Sequence, residues 1–302
     1  MCKLLQNIPD YNNKYQMFGK SSFTASALIG LAAAQADLTF TSNNSFKLKH
    51  AAFINMGKFE DSTENFLLVS SFAAMGNGNL YIVPGVTDAV KASDASGLKP
   101  VKLDTATFQW PNNVEVVPWD VFGERAIVVP DGFLVPGHKN GAVYVVRMDS
   151  EDLTKTVETV SITAPKTDYF YHMGYWVDLN GDGRKDFITA RSNAVAGQGE
   201  LLWLEHPESG LDSTDPWTEH VLGNIADVSI EVQELSEYKG EIVVFAAQFF
   251  DEALSMHRIS KKDGSLIQSK TIDDTDILSA YNVSMVDLNN DGKRQLLVNN
   301  HE

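Results

Sequence analysis

The chain alternates short apolar runs with polar, turn-forming clusters, and the runs recur. FLLVSSF begins at Phe66, AIVVPDGF at Ala126, FITARSN at Phe187, IVVFAAQF at Ile242 and LLVNN at Leu296, with starts 60, 61, 55 and 54 residues apart. Each is rich in β-branched and aromatic residues and bounded by Gly, Asn, Asp or Ser, which is how a strand reads. A second run follows: GNLYIVPG from Gly78, GAVYVVRM from Gly141 and GELLWLEH from Gly199, all opened by glycine, then ALSMHRIS from Ala253 without one. PVKL, VETVSIT, WTEHVLG and IQSKTID close the four units. A further strand precedes each: HAAFINMG, NVEVVPWD, YHMGYWVDL, VSIEVQEL and, in a fifth unit, YNVSMVDL. After residue 36 no stretch carries a sustained helical period with caps.

Four short strands repeated at this spacing predict an all-β chain of β-propeller blades. A β-sandwich also has short, even strands, but the repeated order of elements favours the propeller. The blades span about 50–105, 112–165, 167–222 and 223–275, with 276–302 an incomplete fifth. Half a blade exposes an unpaired strand edge. The expectation is therefore that the chain is a fragment of a longer one, or that Asp37–Lys49 supplies the missing strands.

A hydrophobic content of 43% supports a packed core. The net charge of −16 argues against nucleic acid or an anionic membrane surface as partner, since both require Lys and Arg facing phosphate. Residues 1–36 read as an upstream extension and a signal peptide. From Met17, Lys20 is the basic part, Phe23–Ala34 the apolar part and Ala34-Gln35-Ala36 the cleavage site. That apolar run is too short to span a bilayer, and no other segment is apolar enough to insert. Cleavage after Ala36 would also remove Cys2, the one cysteine. The propeller, 37–302, would be secreted without disulfides, its stability resting on its core or on bound ions.

Two loops suggest such ions. VDLNGDGRKDF (177–187) places Asp178, Asn180 and Asp182 at positions 1, 3 and 5, Gly183 at 6, Arg184 at 7 and Asp186 at 9. VDLNNDGKRQL (286–296) repeats this with Asp287, Asn289, Asp291, Gly292 and Lys293, and has Gln295 at position 9. Alternating oxygen ligands, a sharp Gly turn and a backbone carbonyl at position 7 suit Ca²⁺. Asp, Asn and Gly are also ordinary turn residues; two copies at matching places in the repeat favour the ion. Strands follow both loops, so a helix–loop–helix is not expected. The corresponding GKFEDSTEN, WDVFGER and QELSEYKGE turn without metal.

The two loops resemble the calcium loops of FG-GAP/VCBS repeat propellers, and FLVPGHKNGAVYVV resembles the G-A-P and G-A-V-Y-V segment of the same repeats in integrin α-subunit heads. The resemblance implies a propeller with Ca²⁺ loops on one rim. It does not fix an activity, because that fold serves adhesion proteins, lectins and some sugar lyases.

No nucleophile elbow, H-E-x-x-H, P-loop or dinucleotide motif occurs. First strands line a propeller's channel, so His172, Tyr175, His50 and Tyr281 are candidates there, either as proton-transfer groups or as filling of the channel mouth. His138, His206, His220 and His257 fall in turns or outer strands and are expected in solvent. Trp110, Trp119, Trp176, Trp203 and Trp217 offer faces for sugar stacking or for packing between blades. Of two N-x-S sequons, Asn43 sits in an exposed segment and Asn282 on an inner strand. These features describe a secreted, calcium-stabilised propeller binding an extracellular glycan or protein. The alternatives are a sugar or polysaccharide lyase or dehydratase using His172, Tyr175 and His50, and a structural matrix component.

Overall fold

The computed structural model describes residues 2–5, 48–73, 76–105, 108–133, 140–193 and 198–301. The leader from Met17 to Ala36, Asn43 and His138 lie outside them. The chain is a β-propeller. Four antiparallel, four-stranded sheets follow in chain order, each with its first strand at one edge and its last at the other. The first is β2 (Ala51–Gly57), β3 (Phe66–Ser71), β4 (Asn79–Val83) and β5 (Val101–Lys102). The second is β6 (Glu115–Val116), β7 (Ala126–Pro130), β9 (Val143–Met148) and β10 (Thr156–Ser161). The third is β12 (Phe170–Val177), β13 (Asp186–Asn193), β14 (Gln198–Glu205) and β15 (Thr218–Gly223). The fourth is β16 (Ser229–Gln233), β17 (Glu241–Gln248), β18 (Ala253–Ser260) and β19 (Leu266–Asp273). A small ladder of β8 (Asn140–Gly141) and β11 (Lys166–Thr167) ties the second blade to the third.

The fifth sheet has three strands: β20 (Ala280–Val286), β21 (Gln295–Asn300) and β1 (Cys2–Leu5), which pairs antiparallel to β21. The edge of β21 is thus covered from upstream of the expected Asp37–Lys49, whose residues 37–47 are not among those described. Cleavage after Ala36 would release this strand. Among the described residues two short α-helices break the all-strand expectation, α1 (Val86–Ala92) and α2 (Trp119–Phe122). Neither is long enough to show a period; left-handed Gly85 and Ser93 bound the first.

Burial follows position in the blade. Strand β13 is buried along its whole length and β17 from Ile242 onward, because a second strand is packed against a blade on either face. Outer strands such as β19 alternate half-buried with exposed. Four apolar cores join successive sheets. Phe66, Leu68, Ile82, Ile127 and Val146 link the first two; Val145, Tyr171, Leu202 and Trp217 the next. Ile188, Trp203, Ile230 and Val244 join the third to the fourth, and Phe245, Met256, Val283 and Val298 the fourth to the fifth. None of these four cores joins the fifth sheet to the first, and on β2 Ile54 and Met56 are 59% and 62% exposed.

The glycine that opens the second run of three units has a steric cause. A Cβ on Gly78 would strike the Pro111 ring; one on Gly141 would stand 2.5 Å from the Tyr169 carbonyl oxygen, and one on Gly199 2.5 Å from that of Ala226. Each obstacle lies just before the first strand of the next blade. The glycine marks where one blade's third strand meets the lead-in to the following one. Ala253, in the unit without glycine, fits with its side chain buried.

Candidate functional site

The two carboxylate-rich loops are built alike. Asp178 Oδ1 accepts the Gly181 N–H (2.7 Å) and Oδ2 the Gly183 N–H (3.0 Å). Asp287 Oδ2 likewise accepts the Gly292 N–H at 2.9 Å. Asp182 and Asp291 each accept the N–H two residues on, both at 2.8 Å. The Asn180 and Asn289 amides turn to those same carboxylates. Left-handed Gly183 and Gly292 close the turns. In the first loop the Arg184 guanidinium lies 2.5 Å from Asp182, a cation already placed among the oxygens.

Position 9 has a second duty. Asp186 is fully buried, its two oxygens accepting the N–H groups of Leu179 and His206, each at 2.9 Å. Burial pushes its carboxyl up to about 6 against those bonds, helped by the charges of Asp182 and Asp178. Gln295 copies the strap, accepting the Leu288 N–H at 3.0 Å and donating to the Lys293 carbonyl at 2.8 Å. Among the described residues no three His, Cys, Asp or Glu side chains stand together as a metal cluster. The donor set of each loop instead mixes carboxylate, amide and carbonyl oxygen, which suits a hard cation.

The channel has two different ends. Away from the loops, His172 is buried, packed edge-on by Phe53 (centroids 5.0 Å apart) and Tyr281 (5.7 Å). Its Nε2 lies 3.3 Å from the Tyr281 hydroxyl, and its buried Nδ1 has no partner. Burial lowers its pKa to about 4. Phe249 and His301 extend this aromatic plug around Tyr281. His50 is exposed on a turn with φ 58°. Tyr175 faces Glu231 at 3.2 Å. The three sequence candidates therefore each have a different setting.

Toward the loops the wall is polar. Asn55 donates to Asn113 at 2.7 Å, and Asn113 to Glu115 at 2.7 Å. Tyr175 donates to Glu231, Gln233 donates to Glu231 at 2.5 Å, and Arg294 to Gln233 at 2.6 Å. These bonds form two runs, Asn55–Asn113–Glu115 across the first two blades and Tyr175–Glu231–Gln233–Arg294 from the third and fourth blades to the second carboxylate loop. Burial pushes the Glu115 carboxyl up against the pull of Asn113. Burial also pushes Tyr175 well up, reinforced by the charges of Glu231 and then Glu115. Sequence reasoning missed Glu115 and Glu231; the available signal was a carboxylate interrupting the apolar inner strands NVEVV and VSIEV. Beside Glu115 a cleft of about 410 Å³ opens between the first two blades, reaching Asn55, Lys58, Glu60 and Trp119.

The expectation of solvated histidines needs correction for two of them. His257 is buried on β18 between Ser255 (2.8 Å) and Ser269 (2.9 Å). His206 is buried among Phe122 and Trp217. Both lie where neighbouring structure covers what sequence spacing marked as an outer position. Trp110, Trp203 and Trp217 are core residues, and His220 stacks on Trp203 at 4.0 Å. Trp119 and Trp176 are half-buried. Asn282 is on β20, accepting from Ser229 at 2.7 Å.

No protein-family model matches the chain, and no curated protein matches its sequence. A solved structure described as the Dos1 propeller aligns with TM-score 0.49 at 10% identity over 77% of this chain and 50% of that one. This chain thus spans half the length of that relative. An endo-arabinase from Bacteroides thetaiotaomicron aligns with TM-score 0.44 at 11% identity, over 85% of this chain and 95% of that chain. A β-xylosidase aligns with TM-score 0.36 at 9% identity, over 83% and 91%. The activities in those descriptions belong to those proteins.

Proposed function

We propose that this chain is a secreted, calcium-stabilised propeller of the FG-GAP/VCBS kind that recognises an extracellular glycan on its loop rim. One observation carries the calcium reading: two loops on separate blades share residue pattern, hydrogen bonds and left-handed glycines. Asp178, Asn180, Asp182, Asp186 and the Arg184 carbonyl would hold one ion. Asp287, Asn289, Asp291, Gln295 and the Lys293 carbonyl would hold the other. Each ion would cross-link the hairpin between the first two strands of its blade, and millimolar extracellular calcium suits loops of modest affinity. Binding, in preference to acid–base catalysis, is favoured by the aromatic plug, which leaves His172 without a carboxylate partner. Melting the purified chain with chelator and then with restored Ca²⁺ tests this. A reversible drop in Tm is expected; an unchanged curve overturns the calcium assignment.

A further inference from the structure

The cleft between the first two blades lies on the rim that carries both carboxylate loops. One wall is the end of β2, with Asn55, Met56, Lys58 and Glu60; the other is β6 and the start of α2, with Glu115 and Trp119. Its volume, about 410 Å³, lies within the range of small-molecule sites.

The hydrogen bonds already made inside the protein select what the cleft can take. The Asn55 amide nitrogen is spent on Asn113 Oδ1 (2.7 Å) and the Val114 carbonyl (2.8 Å), which leaves its Oδ1 as an acceptor. Glu115 holds the Asn113 amide through Oε1, leaving Oε2 as an acceptor. Glu60 adds a third acceptor at the exposed lip. Glu124, on the α2 side, is held by Arg147 at 3.0 Å. The polar atoms that remain therefore call for donors, with Lys58 the one cation in the lining. Met56, 62% exposed, and half-buried Trp119 supply apolar surface beside them. A pyranose offers both complements: hydroxyls that donate, and a C–H face that lies on an aromatic ring.

We infer that this cleft binds a donor-rich, non-anionic sugar, with Trp119 beneath the ring and Asn55, Glu60 and Glu115 accepting from its hydroxyl or ammonium groups. The inference rests on the glycan-recognition reading and narrows it to one site and one sugar class. Carboxylated sugars are disfavoured because they would meet Glu60 and Glu115 at close range.

Calorimetry on the full chain in Ca²⁺ tests it with three probes: xylohexaose (neutral), a chitosan hexamer (amine-bearing) and trigalacturonate (anionic). Xylohexaose or the chitosan hexamer is expected to bind and trigalacturonate not. Tighter chitosan binding would assign part of the affinity to charge. Trp119→Ala is expected to weaken binding by about three- to tenfold, the worth of one aromatic contact. Glu60→Ala, which removes that acceptor at an exposed site, should weaken it without altering the melting curve, so a folding defect in the tryptophan variant does not decide the matter. If trigalacturonate binds as well as the others, or both variants keep wild-type affinity, the cleft assignment falls while glycan recognition stands. If wild type binds none of the probes, glycan recognition falls and the cleft assignment with it.

Discussion

His257 should make the fold acid-sensitive by a calculable amount. It lies buried on β18 between two serine hydroxyls. The Ser255 proton goes to Gln248 Oε1 at 2.7 Å, so Ser255 Oγ accepts from Nε2–H and the ring's Nδ1 accepts from Ser269. Both nitrogens are thus satisfied in the neutral ring, and a second proton would place a charge in a buried site with no carboxylate beside it. Burial lowers its pKa from 6.5 to about 4, with the Ile225 backbone opposing weakly. A depressed folded-state pKa means that the stabilisation is whole above 6.5 and is lost as pH falls toward 4. At about 1.4 kcal/mol per pH unit over that window, the ring withdraws about 2 kcal/mol by pH 5 and about 3 kcal/mol by pH 4. The assay is urea denaturation of wild type and His257→Gln at pH 7.5 and pH 5. At pH 7.5 the variant is expected to be less stable by about 1–3 kcal/mol, through the serine it leaves unpaired. Between the two pH values wild type should lose about 2 kcal/mol more than the variant. His172 titrates in the same direction but is common to both proteins, so it cancels in the difference. Parallel pH slopes would refute the reasoning.

Asp131 and Asp227 should act with the opposite sign. Burial raises both to about 6 over the pull of backbone N–H groups, so stability is gained as pH falls through 6 toward 3.8. Asp227→Asn should shrink the gain between pH 7 and pH 5 by about 1 kcal/mol, read from urea midpoints. Arg191 is 2% exposed, with Glu200 at 2.5 Å and Glu219 at 2.7 Å. Arg191→Met strands Glu219 and leaves Glu200 with Lys166 alone, at 3.2 Å, so it should cost about 3 kcal/mol, where a loss below about 1 would show a solvated pair. Gly199→Ala drives a methyl to within 2.5 Å of the Ala226 carbonyl and 2.6 Å of Asp227 Cβ. It should cost about 1–3 kcal/mol in thermal denaturation, against less than about 1 for Ala253→Gly. In Ca²⁺, Asp182→Ala should lower Tm more than Asp291→Ala, because its loop carries Asp186 where the other has Gln295; the reverse order would reject the ligand assignment.

What was legible in the sequence was what lies close together along the chain. The loops announce themselves because their oxygens stand at alternate positions of one short stretch. The blade period shows because each blade repeats the same order of strands, and the glycines of Gly78, Gly141 and Gly199 repeat because the same collision recurs. The polar wall of the channel was not legible. It draws Asn55, Glu115, Tyr175 and Glu231 from four sheets and Arg294 from the loop of the fifth, with no two adjacent in sequence. A lone Glu in an apolar strand reads as a solvent-facing position until the neighbouring blade is in place. The burial of His257 was hidden for a related reason. Period-two alternation cannot report that β18, like β17, has a blade on both faces. The pairing of Cys2–Leu5 with β21 has no signal at all in a four-residue segment.

The two ends of the channel differ because of where side chains fall along the inner strands. In a regular strand, residues two apart share a face. That places Ser229, Glu231 and Gln233 together on β16, whose pairing with β17 is unbroken. His172 and Tyr175 are three apart and by that rule should face opposite ways. The pairing of β12 with β13 slips between Tyr171 and Gly174, and such an irregularity re-aims the residues beyond it. Both side chains then reach the other blades' inner strands, His172 toward Phe53 and Tyr281, Tyr175 toward Glu231. Without that slip the third blade would contribute to one end only, and Glu231 would lose the hydroxyl that joins it to the wall. The irregularity in β12 therefore lets a single strand help to seal the aromatic end while completing the polar one. The polar end lies on the loop rim, with the cleft and the two carboxylate turns.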